Sequence, residues 1–221
     1  MLKSIEWWEV ISNYNHAIFP FQFIILLIGV CITFYLFYGE STKANILIKA
    51  YLSFCNLWIG IVFFLVNCKE FPSPQKEIQG ILFITIGLLF AIDIFTNKTK
   101  ISVSKKKKDK FITISFLSLI VMYPIVGIII RGSFDMAIYP GTLPCATTAF
   151  ALILLVGSLP KVNKVIFVLL LIWAIPFPLL IQIPLYHVYE DSIMFIVGIY
   201  SLIVFIFTLI HSKKNRTGDN L

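Results

Sequence analysis

The stretch IFPFQFIILLIGVCITFYLFY, residues 18–38, holds no Asp, Glu, Lys or Arg. Crossing a hydrocarbon core as a helix takes about 20 predominantly apolar residues, and this run supplies them. Six more runs of the same kind follow, at 45–67, 78–96, 111–131, 144–159, 162–185 and 191–210. None alternates with the two-residue period of a membrane β-strand, so the spans are read as helices rather than a barrel. The fifth run is short and is bounded by Pro144 and Pro160. The reading is an all-α polytopic membrane protein with seven transmembrane helices.

Composition agrees. Of the 221 residues, 59% are apolar and 13% charged, about half the charge of a soluble domain. A water-facing surface needs far more charge than that, which excludes a soluble enzyme, a nucleic-acid reader and a disordered tail. The net charge of +7 is concentrated, with seven lysines and one aspartate between residues 98 and 110. A lysine run beside a span is a topology signal, and the segment from Lys105 to Lys110 is expected to meet anionic lipid headgroups rather than nucleic acid. With the N-terminus outside, 14 of the 18 basic residues fall inside; only Lys3, Lys69, Lys76 and Arg131 fall outside. The expected orientation is therefore N-terminus outside and C-terminus inside, in the cytoplasmic (inner) cell membrane. The first run lacks a basic leader and a small-residue exit site, so it reads as a span rather than a cleaved signal peptide.

Three regions follow from this: an amphipathic aromatic interfacial segment at 1–17, a seven-helix transmembrane domain at 18–210, and a polar cytoplasmic tail at 211–221. Trp7, Trp8, Tyr14 and His16 suit an anchor at headgroup level. Asp93 and Arg131 sit at span ends on opposite sides, where each can snorkel to headgroups.

Candidate chemistry gathers around YPGTLPCATTAF, residues 139–150. Pro140-Gly141 is a turn signal, Thr142 can act as an N-cap, and Pro144 suits the first turn of a helix. Cys145, Thr147 and Thr148 then lie at a positive helix end, which can hold an anion or activate a thiol. Alternatively, the threonines simply bond back to the preceding turn. Cys68 and Cys145 fall on the same face. They are read as inert thiols, as a structural disulfide, or as a redox pair. The HVYED segment brings His187 near Glu190 and Asp191, either for proton or cation handling or as a solvated turn. Pro176, Pro178 and Pro184 must kink the sixth run. With Pro124, Asn15, Asn56 and Gln182, these breaks suggest a small polar cavity open to the outer half. Gly60, Gly80, Gly87 and Gly127 read as close helix contacts. No Cys/His cluster marks a metal site, and no motif marks a catalytic residue or a cofactor.

Several residues carry a family resemblance: Tyr14-Asn15 with Ile18-Phe19-Pro20 and Gln22; Trp58 with Gly60; Tyr123-Pro124; and Tyr139-Pro140 leading to Pro144-Cys145-Ala146-Thr147-Thr148. Trp173 and Glu190-Asp191 complete the pattern. The chain resembles the uncharacterised multipass bacterial family called domain of unknown function 6064, whose signature has a second proline where Ala146 stands. The resemblance implies a multi-helix membrane fold centred on PCATT and no particular reaction.

The expected function is binding or transport of a small solute. The pocket would be lined by Asn15, Tyr139, Pro140, Thr142, Cys145, Thr147, Thr148, Trp173, Gln182, Glu190 and Asp191. A structural or sensory subunit, or a thiol oxidoreductase using Cys145 and Cys68, are the alternatives. Whether the chain has a protein partner or self-associates is left open.

Overall fold

The computed structural model describes residues 4–38, 41–69, 71, 74–103 and 106–218, the side chains of 4, 41 and 212–218 excepted. Lys3 and Lys105, and the side chains of the basic tail residues Lys213, Lys214 and Arg216, therefore lie outside what is described. Among the described residues the regular structure is all helical. The helices are α1 (Ser4–Ala17), α2 (Phe21–Tyr38), α3 (Ser41–Trp58), α4 (Gln75–Thr96), α5 (Lys107–Val121), α6 (Tyr123–Arg131), α7 (Pro144–Val156), α8 (Lys164–Ala174), α9 (Ile183–Tyr186) and α10 (Asp191–Gly218). Two π-helical segments, Ile59–Asn67 and Pro178–Gln182, extend α3 and join α8 to α9.

Five of these helices are long and apolar enough to cross a membrane, and α5 with α6 makes a sixth if the pair, bent by 42°, is one span. The bend falls at Met122–Pro124, where proline lacks the N–H that would continue the ladder. The fifth apolar run differs from expectation: α7 has only 13 residues, because Pro144 fixes its start and Gly157 its end. The kink expected from Pro176 and Pro178 is present, as α8 stops at Ala174 and resumes through the π segment.

α7 is buried from Pro144 to Leu155 and packs against α3, α5, α8 and α10. The outer helices instead turn apolar side chains outward, with Leu27, Phe34, Ile81 and Phe207 each at least 60% exposed. Such a surface suits lipid rather than water. Within the bundle, α3 and α4 approach so closely that a Cβ at Gly87 would lie 2.9 Å from Leu57 N, and Ser53 donates to Gly87 O at 2.8 Å. The small residues act as contacts, as their spacing implied.

Polar contacts tie the bundle at two ends. At one end, Lys49 and Asp93 form a fully buried pair at 3.1 Å, Ile101 N donates to Asn45 Oδ1, and Lys100 N donates to Lys161 O. Asp93 thus does not snorkel. Its oxygens accept from Lys98 N and Thr99 N, so the carboxylate organises the chain that follows α4.

At the other end α1 packs as a cap. Its aromatic face turns inward: Trp7 stacks on Tyr186 and Phe71, Trp8 Nε1 donates to Tyr186 O at 3.0 Å, and Trp58 Nε1 donates to Tyr14 OH. Trp7 and Trp8 are buried, so the rings expected at headgroup level are core instead. The periodicity that suggested an interfacial helix is equally that of a helix laid on protein.

Candidate polar site beneath the α1 cap

The site begins with the bend between α5 and α6. It turns Tyr123 inward, where its hydroxyl donates a hydrogen bond to Asp191 Oδ1. Two turns on, Arg131 closes α6 and reaches back over Gly127. A Cβ at Gly127 would collide with the guanidinium and stand 3.0 Å from Glu190 Oε1. Glycine is needed there for space, not for backbone freedom.

Arg131 grips Glu190 with both prongs, one of them Nη1 to Oε2 at 2.9 Å. Its Nε donates to Met136 O, and its charge lies 3.9 Å from the Trp8 ring centroid. Glu190 is fully buried and Arg131 is 10% exposed at the side chain. Such a bidentate pair, stacked on indole, is among the stronger arrangements available to arginine. The snorkelling expected of Arg131 is overturned: Glu190 lies within reach on the same face, and burial of that carboxylate demands a counter-charge.

Glu190 and Asp191 both belong to the turn that starts α10, with Asp191 in the first helical turn, where a carboxylate is favoured by the dipole. Burial alternates along this turn. Val188, Glu190 and Asp191 are buried, whereas His187 and Tyr189 are exposed and contact each other at 3.3 Å. HVYED therefore is not a solvated turn, and its imidazole points away from its carboxylates.

The remaining wall comes from α7 and the π segment. Gln182 Nε2 donates to Cys145 Sγ at 3.0 Å, and the thiol lies beside Asp191. Gln182 closes the π segment Pro178–Gln182, a rare helical form that occurs mostly as short insertions in α-helices. Of the eleven buried side-chain polar atoms without a hydrogen-bond partner among the described residues, three fall in this cluster: Asp191 Oδ2, Gln182 Oε1 and Thr148 Oγ1. Thr148 lies three residues beyond Cys145 on α7, hence on the same helix face. The cluster holds two carboxylates and one guanidinium, so acidic groups outnumber basic ones.

The other expected residues serve elsewhere. Thr147 is occupied, donating to Leu143 O at 2.6 Å and accepting from Gly141 N at 2.7 Å. Leu143 rather than Thr142 is the N-cap of α7, and Thr142 instead gives its carbonyl to Tyr14 at 2.9 Å. Asn15 pins the 132–143 segment through Asp135 O and Ala137 O. Tyr139 packs against Phe23, and burial raises its phenol above the ordinary range, as it does for Tyr14. Pro140 lines an apolar cavity, and Trp173 stacks among Phe64, Phe83 and Phe177. Cys145 and Cys68 are not joined by a disulfide, and they have different neighbours, since Cys68 lies beside Tyr14. Tyr123 and Arg131 are the two members that sequence reasoning left out. The signal for Arg131 was the Gly127-to-Arg131 spacing of one helical turn, together with an acidic pair assigned to the same face.

A family model described as a family of unknown function (DUF6064) matches residues 5–216. The chain belongs to this family. The DUF6064 match runs from α1 into α10 and so takes in the PCATT start of α7 and every residue of the polar cluster. No curated protein and no solved structure matches the chain.

Proposed function

We propose that this DUF6064 protein sits in the cell membrane with seven crossings, N-terminus outside, and binds or moves a small solute at the Asp191 cluster. The seventh crossing is α7. Its first turn is tied to the α1 end through Thr142 and Tyr14, while Gly157 at its C-cap would meet Ser102 O of the lysine-bearing end. A 13-residue helix, about 20 Å long, covers that distance because protein surrounds it on all sides and only its neighbours meet lipid. The lysines of 98–110 favour an inner location for their end.

One observation carries the solute site: a fully buried carboxylate, Asp191, has an oxygen with no N–H or O–H partner among the described residues, the weakly donating Cys145 thiol being its remaining neighbour, in a cluster holding more carboxylates than cations. A buried unsatisfied acceptor costs about 1–3 kcal/mol, more when charged. A solute bearing an ammonium or several N–H donors relieves that cost. The π segment and its prolines give the wall at Gln182 the irregular backbone through which such a site opens.

The test is thermal stabilisation of the purified chain in detergent across primary amines, amides and polar neutral metabolites. A cationic or N–H-rich compound should raise the midpoint for the natural chain and not for Asp191→Asn or Gln182→Ala. Equal shifts in the natural chain and both variants would refute the site.

A further inference from the structure

A cavity of about 460 Å³ lies away from the polar cluster, between α2 and α5. Its walls are Leu26, Val30 and Phe34 on one side and Ile114, Leu117 and Val121 on the other. Tyr51 and Phe150, both buried, close its back. The hydroxyls on its α2 and α3 sides are turned to backbone, Thr33 to Gly29 O and Tyr51 to Ile25 O, so the lining there is effectively hydrocarbon.

The dimensions select an occupant. From Leu26 to Tyr38 the groove follows α2 for about 18 Å at 1.5 Å per residue, close to the roughly 15 Å of half a hydrocarbon core. An extended alkyl chain of one leaflet matches that length.

Charge decides which amphiphile. Lys110 Nζ stands over the rings of Phe37 and Tyr38, 5.6 and 6.0 Å from their centroids, and both rings line the groove. Among the described residues Lys110 pairs with no carboxylate. It lies in the first turn of α5, where the helix dipole adds to the attraction for an anion. Ile114, one turn further on, is already groove wall.

We infer that the α2–α5 groove holds one acyl tail of an anionic phospholipid, with its phosphate against Lys110. The inference uses the proposed bilayer placement and not the solute site, so a chain soluble without detergent would remove the placement, whereas failure below would remove only the lipid site.

The test reconstitutes the full chain in bilayers of equal phosphatidylglycerol and phosphatidylcholine, returns it to detergent, and counts retained lipid by native mass spectrometry. The natural chain should keep one phosphatidylglycerol in preference to phosphatidylcholine. Lys110→Ala should lower that preference about fivefold, the factor one lysine supplies near an anionic surface. Ser118→Trp and Val30→Trp fill the groove from opposite walls, and whichever keeps its helical circular dichroism should lose the bound lipid. Equal retention of the two lipids, preferential capture of added palmitate, or lipid retained by a folded tryptophan variant would each overturn the assignment.

Discussion

Arg131 and Glu190 offer the sharpest test of the fold beneath the α1 cap. The pair is bidentate and nearly dry, with Glu190 fully buried and the Arg131 side chain 10% exposed. Removing one partner of a buried pair strands the other and costs about 3–5 kcal/mol. The two single variants should not be equal. Arg131→Met leaves Glu190 buried beside a second carboxylate, Asp191, and belongs at the upper end. Glu190→Leu leaves Arg131 its bond to Met136 O and its seat on Trp8, and belongs near 3 kcal/mol. The double variant Arg131→Met/Glu190→Leu buries two apolar side chains where two charges were, and such replacements are often neutral. It should therefore lie within about 1 kcal/mol of the natural chain, giving a coupling of about 7 kcal/mol, well above the usual range of about 0.5–3 kcal/mol for contacting residues. Reversible unfolding in mixed micelles, followed by circular dichroism, measures all four corners of the cycle. Single costs below about 1 kcal/mol would mean a solvated pair of the surface kind, and additive costs would mean two independent residues. Either result refutes the reasoning.

At the opposite end the same experiment should give the opposite answer. Lys49→Met/Asp93→Leu should fail to recover stability, because Asp93 also accepts from Lys98 N and Thr99 N, and each stranded donor costs about 1–3 kcal/mol. Limited trypsin digestion at Lys98 and Lys100 should accelerate in Asp93→Asn, whereas unchanged digestion would detach the carboxylate from that segment. Gly87→Val should cost about 1–3 kcal/mol or more by overpacking, since its Cβ would press on the backbone of α3 at Leu57; an unchanged unfolding midpoint would count against that contact.

The helical class, the apolar runs and the proline breaks were all legible, because they rest on local rules: run length, missing charge and the missing proline N–H. Burial of ionisable groups was not. Asp93, Arg131, Glu190 and Lys49 each stand near the end of an apolar run, and from one strand of text an end-of-run charge reads as solvated. Their fate depends on partners 44 to 59 residues away, which composition does not encode. The packing of α1 was hidden for a related reason. Periodicity reports that one face is apolar and says nothing of whether lipid or protein covers it, so the burial of Trp7 and Trp8 against the bundle could not be read from it. The site was half legible: Cys145, Gln182, Glu190 and Asp191 converge, while Thr142, Thr147, Asn15 and Trp173 spend their polar groups on turns or sit among aromatic rings.

The two buried ion clusters differ in how completely their groups are matched. Both take charges out of water, which is unfavourable unless every group is matched. Around Lys49 and Asp93 the matching is complete: the lysine meets the carboxylate, Asp93 O and Asn97 Oδ1, and both carboxylate oxygens accept backbone donors. Nothing there is left for a ligand, and the cluster serves to fasten a segment to the bundle. Around Asp191 the matching stops one step short, with an open carboxylate oxygen, an open amide oxygen and an open hydroxyl. Open buried atoms also occur elsewhere in the bundle, as at Asn56 Oδ1 and Gln79 Oε1, so an open acceptor by itself marks no site. What sets the Asp191 end apart is that its open atoms stand beside two buried carboxylates and one guanidinium, and the proposed solute site rests on that conjunction.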